Sequence, residues 1–439
     1  MKSNSFCSKI SLVLICAGLF LLSCKKGPEM SFPKDDIIFD ASGTDTTTLQ
    51  VSANVTWTAS ISDEWLKAST LIGEGSATIK LWADENGEFS ERVTYIVISG
   101  DDVRTDSIKV VQAPSIDVVE KIEDVAFRKY CLELFDDSGD GRISLKEAKN
   151  TDDVIEDGRN NSKAKIIVKG KGIKTLAGIE YFTKIRELNC ENNQIEKLDV
   201  SKNKELRILN CSYNQIEEIE IDKLTKLSVF KIYNNKFKNI DVSQNENLEE
   251  LWVSNNSITS INVANNRKLF MFYCDNNQLP NIDVSNNTEL STFSCTKNEL
   301  TALDLKSNTK LVNLYCSENR FTTLDLSNNK DLQALWCNGT EDYQITSLNV
   351  ANNVKLIKLY CNNNRLSSLD LKNNTMLVYL YCSNNNLKGE LDISKNKELK
   401  YIDLKTNPGL TAIKVWPEFD ILNKNYVVDD KNLWTGYIP

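Results

Sequence analysis

The sequence predicts a mainly β protein in which a small β-sandwich is followed by a short helical calcium-loop segment and a long solenoid. Short β-rich runs alternate through residues 35–114, helical spacing surrounds an acidic loop in residues 118–160, and a fixed repeat fills residues 164–409. Alternation with a period of two is typical of half-buried strands, and a constant repeat length is typical of stacked solenoids. With 439 residues, of which 41% are hydrophobic, the chain has enough apolar side chains for more than one core.

Residues 1–23 have the layout of a secretory signal peptide. Two lysines, Lys2 and Lys9, precede an apolar run that ends with Leu22, and the small residue Ser23 follows it. The run is too short to span a bilayer. The sequence therefore predicts export from the cytoplasm.

Residues 21–24, with the sequence LLSC, resemble a bacterial lipobox. The resemblance implies that a lipid is attached to the sulfur of Cys24, which becomes the first residue of the mature protein, and that residues 24–34 form a lipidated tether. Acyl chains then hold the protein to a membrane without a spanning helix. We expect a cell-envelope protein at the outer membrane, facing either the periplasm or the outside. The alternative is an ordinary signal peptide that is cut nearby.

Residues 35–114 contain six short β-rich runs separated by Gly, Asp, Asn and Ser. Their spacing of roughly ten residues is typical of an all-β sandwich. The strand WTAS at 57–60, Trp65, Arg92 at the start of a strand and the closing VVQ at 110–112 resemble the BACON domain of Bacteroidetes.

That resemblance implies carbohydrate binding, but it assigns the binding to no particular residue. Trp57 and Trp65 are either platforms for sugar rings or parts of the core of the sandwich. We expect the domain to act as a spacer or as a weak binder.

Residues 118–160 are predicted to form a helix, a loop and a helix. Apolar residues such as Phe127, Cys131 and Leu134 recur at helical spacings of four and three residues, and the acidic loop DDSGDGRISLKE follows at 136–147. The loop resembles an EF-hand, and this resemblance implies calcium ligands at Asp136, Ser138, Asp140, Arg142 (through its carbonyl), Ser144 and Glu147.

The loop is unpaired, and a serine replaces one of its carboxylates, so we expect a structural calcium ion of weak affinity, with a Kd of about 10⁻⁴ to 10⁻³ M. The alternative is an acidic turn that caps two helices without a metal.

From Ile185 onward the sequence repeats every 21 residues as LxxLxCxxNxLxxLDVSxNxx, with small insertions near Gly339 and Gly389. The unit resembles the leucine-rich repeat, which implies a leucine-rich-repeat solenoid whose turns share one continuous core. Residues 164–184 are predicted to form a degenerate first repeat, capped by the calcium-loop helices, and residues 410–439 a C-terminal cap.

Several columns of the repeat have structural explanations. Leucines at places 1, 4, 11 and 14 point inward, and two asparagine columns are expected to satisfy backbone groups in the turns. An aspartate column is likewise architecture and not an active site; it consists of Asp199, Asp241, Asp283, Asp304, Asp325 and Asp370.

The chain contains twelve cysteines, of which three belong to the signal and Cys131 stands alone. The other eight occupy the sixth place of the repeat, where Ile232 and Val253 replace them in two turns. We therefore expect buried thiols, because the site accepts other small hydrophobic residues; the alternatives are disulfides or a metal site. These eight are Cys190, Cys211, Cys274, Cys295, Cys316, Cys337, Cys361 and Cys382.

The fifth place of the repeat is expected to face outward on the concave side. Large aromatic residues recur there on a face that packing does not require, with Lys231 at the edge. We call the six aromatic residues the aromatic stripe: Trp252, Tyr273, Tyr315, Trp336, Tyr360 and Tyr381. The stripe and Lys231 are our candidate ligand-binding residues. The alternative is a row of rings that only stabilises the sheet.

The composition argues against two classes of function, catalysis and nucleic-acid binding. The absence of histidine removes the commonest general base, so we expect no catalytic residues. The formal charge of −9 and the lack of a basic patch argue against nucleic acid. The sequence predicts a non-enzymatic adhesin, or a capture protein for glycan or mucin, that uses the concave face; the alternative is a scaffold that binds another protein.

Overall fold

The computed structural model describes residues 26–151, 153–156 and 159–436. The predicted signal peptide and the lipidation site Cys24 lie outside these residues. The chain divides into two compact units between Pro114 and Ser115. No helix in the described part combines the length and apolar character needed to cross a membrane.

The first unit is a β-sandwich of two sheets. Its strands are β1 (Met30–Ser31), β2 (Ile37–Phe39), β3 (Thr46–Ala53), β4 (Thr56–Ile61), β5 (Leu66–Ala68), β6 (Ile72–Glu74), β7 (Ala77–Ala83), β8 (Arg92–Gly100) and β9 (Val103–Gln112). One sheet has the order β1-β3-β7-β5 and the other β2-β9-β8-β4-β6.

Alternating side chains build the core of the sandwich. On β3 and β7 every second residue is buried, as the period of two predicts. Trp57 is 2% exposed, and Gly73 lies opposite it because a Cβ there would overlap the indole ring. Met30 packs against this core and Phe32 is buried in it. The sandwich thus includes residues that the sequence interpretation placed in the tether, because both are apolar.

The second unit begins with helices. They are a 3-10 helix at Val118–Lys121, α1 (Val125–Phe135) and α2 (Leu145–Lys149), followed by the hairpin β10 (Asp153–Glu156) and β11 (Arg159–Ser162). The Asp124 carboxylate caps α1 by accepting the N–H groups of Ala126 and Phe127 at 2.9 and 3.1 Å. The hairpin was not predicted from the sequence, which placed this segment in the helix-loop-helix.

The rest of the second unit is the solenoid. Its strands are β12 (Lys165–Ile167), β13 (Glu187–Asn189), β14 (Ile208–Asn210), β15 (Val229–Lys231), β16 (Glu250–Trp252), β17 (Met271–Tyr273), β18 (Thr292–Ser294), β19 (Asn313–Tyr315), β20 (Thr323–Leu324), β21 (Ala334–Trp336), β22 (Ser347–Leu348), β23 (Lys358–Tyr360), β24 (Tyr379–Tyr381), β25 (Lys388–Asp392), β26 (Tyr401–Asp403), β27 (Gly409–Lys414), β28 (Tyr426–Val427) and β29 (Trp434–Thr435). Two further 3-10 helices lie at Ile179–Tyr181 and Lys431–Leu433.

Thirteen of these strands form one parallel sheet, in the order β12-β13-β14-β15-β16-β17-β18-β19-β21-β23-β24-β26-β28. Two small parallel sheets, β20-β22 and β25-β27-β29, lie on the returning segments. The mainly β fold predicted from the sequence is confirmed. The long sheet continues to β28, inside the segment that was predicted to be the C-terminal cap.

The columns of the repeat behave as the sequence predicts. Leu188 and Cys190 are fully buried. The Asn214 amide donates to the carbonyls of Cys190 and Cys211, each at 3.0 Å, and its oxygen accepts the N–H of Ile195 at 3.0 Å. The asparagines therefore hydrogen-bond backbone groups that the strands leave unpaired.

The aspartate column closes turns. The Asp283 carboxylate accepts the N–H of Ser285, two residues later, at 2.9 Å. This hydrogen bond lowers the pKa of Asp283 below its ordinary value. The same turn recurs at Asp241 and Asp325, which supports an architectural role for the column.

Candidate binding site on the outer face of the long sheet

The aromatic stripe lies on the outer face of the thirteen-stranded sheet. Each stripe residue is the third residue of its strand, and the middle residue of the same strand, such as Leu251 or Leu335, is buried. Strand pairing aligns the stripe position from Lys231 to Tyr381 without a register shift. All six aromatic side chains are half-buried.

The rings of the stripe stack on one another. Ring centroids lie 4.6 Å apart for Tyr315 and Trp336, 4.6 Å for Trp336 and Tyr360, and 4.7 Å for Tyr360 and Tyr381. The ring planes of the last two pairs are almost parallel, at 6° each. The ring faces thus cover each other, and ring edges point outward. Such pairs stabilise the sheet, as one of the two sequence interpretations expected.

Lys231 ends the stripe on its N-terminal side. Its ammonium lies 4.2 Å from the centre of the Trp252 ring and 3.1 Å from the Glu250 carboxylate. Glu250 also accepts the indole N–H of Trp252 at 3.2 Å. The predicted edge residue is therefore engaged inside the molecule, as a cation over an aromatic face.

The stack is interrupted at Ser294. On one side of the interruption, the rings of Trp252 and Tyr273 pack with their centroids 4.4 Å apart and their planes tilted by 36°. Ser294 is 5% exposed and donates its hydroxyl to the carboxylate of Asp275. Burial raises the pKa values of both flanking tyrosines, Tyr273 and Tyr315, and the negative charge of Asp275 adds to each shift.

Sequence reasoning missed the column that follows the stripe and the acidic residue Glu250 in the column that precedes it. Residues two places away on a strand share its face, and this alternation was the available signal. Tyr233 lies in the column after the stripe; its ring packs edge-on against Tyr213 at 5.2 Å and lies 6.1 Å from Trp252. Asp275 lies in the same column, and Glu250 in the column before the stripe.

The predicted calcium loop closes on its own backbone. The carboxylate of Asp136 accepts the N–H groups of Gly139 at 2.7 Å and Gly141 at 2.9 Å. Glu147 reaches back to accept the N–H of Ser138 at 3.1 Å. Gly139 and Gly141 have φ values of 71° and 80°, which favour glycine. The structure thus brings the first and last predicted ligands to the inside of the loop.

The other predicted ligands have protein partners. The Asp140 carboxylate accepts the Arg142 guanidinium at 3.0 Å, and Ser144 forms a capping box with Glu147 at the start of α2. Within the described ranges, no three Asp, Glu, Cys or His side chains are grouped as metal ligands. The oxygen-rich donor set suits calcium, while the Asp140–Arg142 pair competes for one of its oxygens.

The predicted burial of the repeat thiols is confirmed. All eight are at most 1% exposed, and they are unbridged, as is buried Cys131. Burial raises the pKa of Cys190 to about 12, so the thiol stays protonated at neutral pH.

In the sandwich, Trp57 is a core residue whose indole N–H donates to the Gly75 carbonyl at 2.8 Å. Trp65 is half-buried and carries the Arg92 guanidinium 4.7 Å above its ring. Trp57 is therefore a part of the core and not a platform for a sugar, and Arg92 covers one face of Trp65.

Comparisons with known proteins find similarities for both units. Residues 30–115 match the family described as Viral BACON domain. The structure is similar to that of an internalin (inlF) from Listeria monocytogenes, with a TM-score of 0.59 and 18% identity over 74% of this chain and 97% of that one. A TDR receptor matches with a TM-score of 0.50 and 18% identity, over 62% of this chain and 55% of that one.

The functional domain of InlJ from Listeria monocytogenes, which is described as including a cysteine ladder, is 24% identical over 72% of this chain and 80% of that one, with a TM-score of 0.41. No curated protein sequence matches the chain. The similarities show an N-terminal BACON domain and a leucine-rich-repeat solenoid.

Proposed function

We propose that this chain is a non-enzymatic binding protein of the cell envelope that holds a protein ligand against the aromatic stripe. The observation that carries the proposal is the row of six half-buried aromatic side chains on a face that the interior of the solenoid does not use. Tyrosine and tryptophan dominate the binding energy of protein interfaces, because they offer large contact areas and lose little conformational freedom.

The stacking geometry favours a protein ligand over a sugar. Sugar rings bind aromatic residues by packing on the ring faces, whereas Trp336 and Tyr360 have both faces covered by neighbouring rings. The groups left at the surface are ring edges and tyrosine hydroxyls. Such a surface suits the mixed apolar and polar contacts of a protein interface.

Glycan or mucin capture is the second candidate. One observation favours it: the faces of Tyr273 and Tyr315 that point toward Ser294 are not covered by another stripe ring. A sugar ring inserted there would explain an adhesin role. Competition by soluble sugars separates this candidate from the first.

A catalytic role has little support among the described side chains. The aspartates that recur are engaged in turns, and burial keeps thiols such as Cys190 protonated. The thiols therefore lack the access and the ionised form that nucleophiles need, and the aspartates are occupied by backbone N–H groups of their own turns.

The test compares the purified protein with stripe variants on arrays of purified envelope proteins, extracellular host proteins, glycans and mucins. One variant replaces all six stripe residues by alanine. A milder variant, Tyr360→Ser, copies the residue that the chain has at Ser294 and so keeps the strand intact. The control is Tyr343→Ala, which removes an aromatic residue that is 40% exposed outside the long sheet.

We expect a protein ligand that binds the unmodified chain and the control equally, binds Tyr360→Ser more weakly, and is lost with the six-alanine variant. Binding that survives in a folded six-alanine variant would rule out the stripe as the site. Binding of glycans alone, with inhibition by soluble sugars, would replace the first candidate by the second.

We also propose that the loop at 136–147 binds calcium weakly. Asp136 and Glu147, the two carboxylates inside the loop, support this proposal. Calcium at ten times its Kd should stabilise the second unit by about 1.4 kcal/mol. Thermal melting with and without calcium measures this, and the double variant Asp136→Asn, Glu147→Gln should abolish it. An equal response of that variant would show that the ion binds elsewhere.

Finally, we propose that Cys24 carries the lipid that anchors the protein at the outer membrane. The LLSC sequence at 21–24 supports this. Cys24→Ser should move the protein from the membrane fraction to the soluble fraction, because one substitution removes the site of acylation. Retention of Cys24→Ser in the membrane fraction would refute the anchor.

A further inference from the structure

The interruption of the aromatic stack has the dimensions of one missing ring. Strands of the sheet lie about 4.8 Å apart, so Tyr273 and Tyr315, which are two strands apart, are separated by about 9.6 Å. On its other side, the Tyr273 ring packs at a tilt against Trp252, and the Tyr315 ring stacks on Trp336. Between them the chain places only Ser294, which is too short to reach the level of the rings. The row of rings is therefore interrupted over Ser294, and a flat group is the shape that would continue it between Tyr273 and Tyr315.

The surroundings of the gap are polar and acidic on one side. The Asp275 carboxylate accepts the N–H of Thr296 at 2.9 Å, the hydroxyl of Ser254 at 3.0 Å and the hydroxyl of Ser294. These contacts fix its position and leave one oxygen with acceptor capacity. Asp275 forms no ion pair with any cation in the part of the chain that the structure describes. The gap thus lies beside a held carboxylate that lacks a counter-charge.

A similar combination of an aromatic face and a carboxylate lies at the N-terminal end of the stripe, where a cation of the chain itself binds to both. There the face of Trp252 that points away from Tyr273 is covered by the Lys231 ammonium at 4.2 Å, and Lys231 also pairs with Glu250 at 3.1 Å. An aromatic face, a carboxylate and a cation complete that site. At Ser294 two aromatic faces and a carboxylate are present, and the cation is the missing component.

We propose that the gap over Ser294, between Tyr273 and Tyr315, is a recognition slot for an arginine side chain of the protein ligand. The guanidinium is planar, so it stacks between two rings, and its N–H groups donate to Asp275. An uncharged ring fills the same space but leaves the carboxylate without a partner. The formal charge of −9 on the whole chain also favours a basic segment. This inference rests on the proposed function and specifies the chemistry of its ligand.

The experiment titrates the full-length protein, labelled with ¹³C in its tyrosine rings, with the amide of N-acetylarginine. The matched probe is the amide of N-acetylcitrulline, which keeps the planar shape and lacks the charge. We expect arginine to shift the signals of Tyr273 and Tyr315, which are assigned with the variants Tyr273→Phe and Tyr315→Phe. Citrulline should bind about tenfold more weakly, because a hydrogen bond to a charged group contributes more than a neutral one.

Two variants test the slot itself. Ser294→Tyr supplies the missing ring and should abolish the shifts while the sheet stays folded. Asp275→Asn keeps the shape and should weaken arginine binding about tenfold. The control, Tyr360→Ser, opens a similar gap that has Asn338 in the place of Asp275, since Asn338 accepts the N–H of Asn362 at 3.0 Å, and it should gain no second arginine site.

The outcomes separate the slot from the proposed function. Arginine shifts that persist in Ser294→Tyr, or citrulline binding as tight as that of arginine, overturn the slot. A protein ligand that is lost in the six-alanine variant but binds Ser294→Tyr unchanged leaves the proposed function standing and removes the slot from it. If arginine binds at Ser294 but the protein ligand binds equally well without the stripe, the slot stands and the proposed function fails.

Discussion

A single buried thiol recurs at the sixth place of most turns, and its environment couples stability to pH. Burial raises the pKa of Cys190 to about 12, whereas a solvent-exposed thiol has the ordinary value of 9.0. The unfolded chain therefore loses the proton of Cys190 at a lower pH than the folded chain does. The contribution of this thiol to stability is complete below about pH 9 and is lost as the pH rises toward the folded pKa.

Replacing Cys190 by valine should remove part of this dependence. Valine occupies the equivalent place at Val253, so we expect little change in stability at pH 7. Between pH 9 and 11, the free energy of unfolding should fall less steeply for Cys190→Val, by up to about 1.4 kcal/mol per pH unit. Urea unfolding at four pH values measures the two slopes. Parallel slopes would show that the folded thiol titrates as an exposed one.

At the scale of the element, each turn is joined to the preceding one through buried asparagine amides. The Asn287 amide donates to the carbonyls of Val263 and Asn266, at 3.0 and 2.9 Å. Its own oxygen is buried without a partner, as in the eight other asparagines of this column. Each asparagine of the column thus leaves one buried oxygen unpaired. Its amide N–H groups offset this cost, because they hydrogen-bond to two carbonyls of the turn before.

Asn287→Ala should lower the free energy of unfolding by roughly 2 kcal/mol, because two buried carbonyls lose their donor. Asn286→Ala is the matched control, since the neighbouring side chain is exposed and should change stability little. Urea unfolding compares the two variants. Equal stability of both would mean that water replaces the amide in the core.

At the scale of the whole molecule, the second unit is a row of similar turns whose two ends need cover. At the N-terminal end, the Phe135 ring of α1 packs 4.6 Å from Phe182, and Asp124 accepts the N–H of Lys174 at 3.0 Å. At the C-terminal end, Phe419 lies 4.7 Å from Tyr426 and 4.9 Å from Trp434. Both ends of the solenoid core are thus closed by aromatic residues.

Phe135→Ala should destabilise the second unit by about 3 to 5 kcal/mol, because it opens a cavity in the N-terminal cover. Since each turn contacts mainly its neighbours, we expect hydrogen-exchange protection to fall more in β12–β14 than in β23 and β24. Val125→Ala, on the exposed side of the same helix, serves as the control. A uniform loss of protection along the sheet would indicate that the solenoid unfolds as one cooperative unit.

How much of the structure could be predicted from the sequence depends on how regular the repeat is in each part of the chain. The repeat predicted the inward leucines, the buried thiols and the outward stripe, because a fixed period assigns a direction to each place. It did not predict that the rings of Trp336 and Tyr360 stack almost parallel, since ring orientation depends on neighbouring turns. The hydrogen bonds of Asp275 with Ser254 and Ser294 were also missed, since they too join neighbouring turns. The hairpin β10–β11 was missed because its sequence lacks apolar alternation.

Because the strands of the long sheet pair residue for residue, mutations in the gene can lengthen or shorten the sheet by whole repeats. An in-frame duplication of residues 290–310 would add one strand and carry a second copy of Ser294, with every inward leucine still in place. A deletion of the same segment would bring Tyr273 next to Tyr315 and close the row of rings. Recombination within the gene therefore has a direct route to new spacings of the surface pattern, without any new fold.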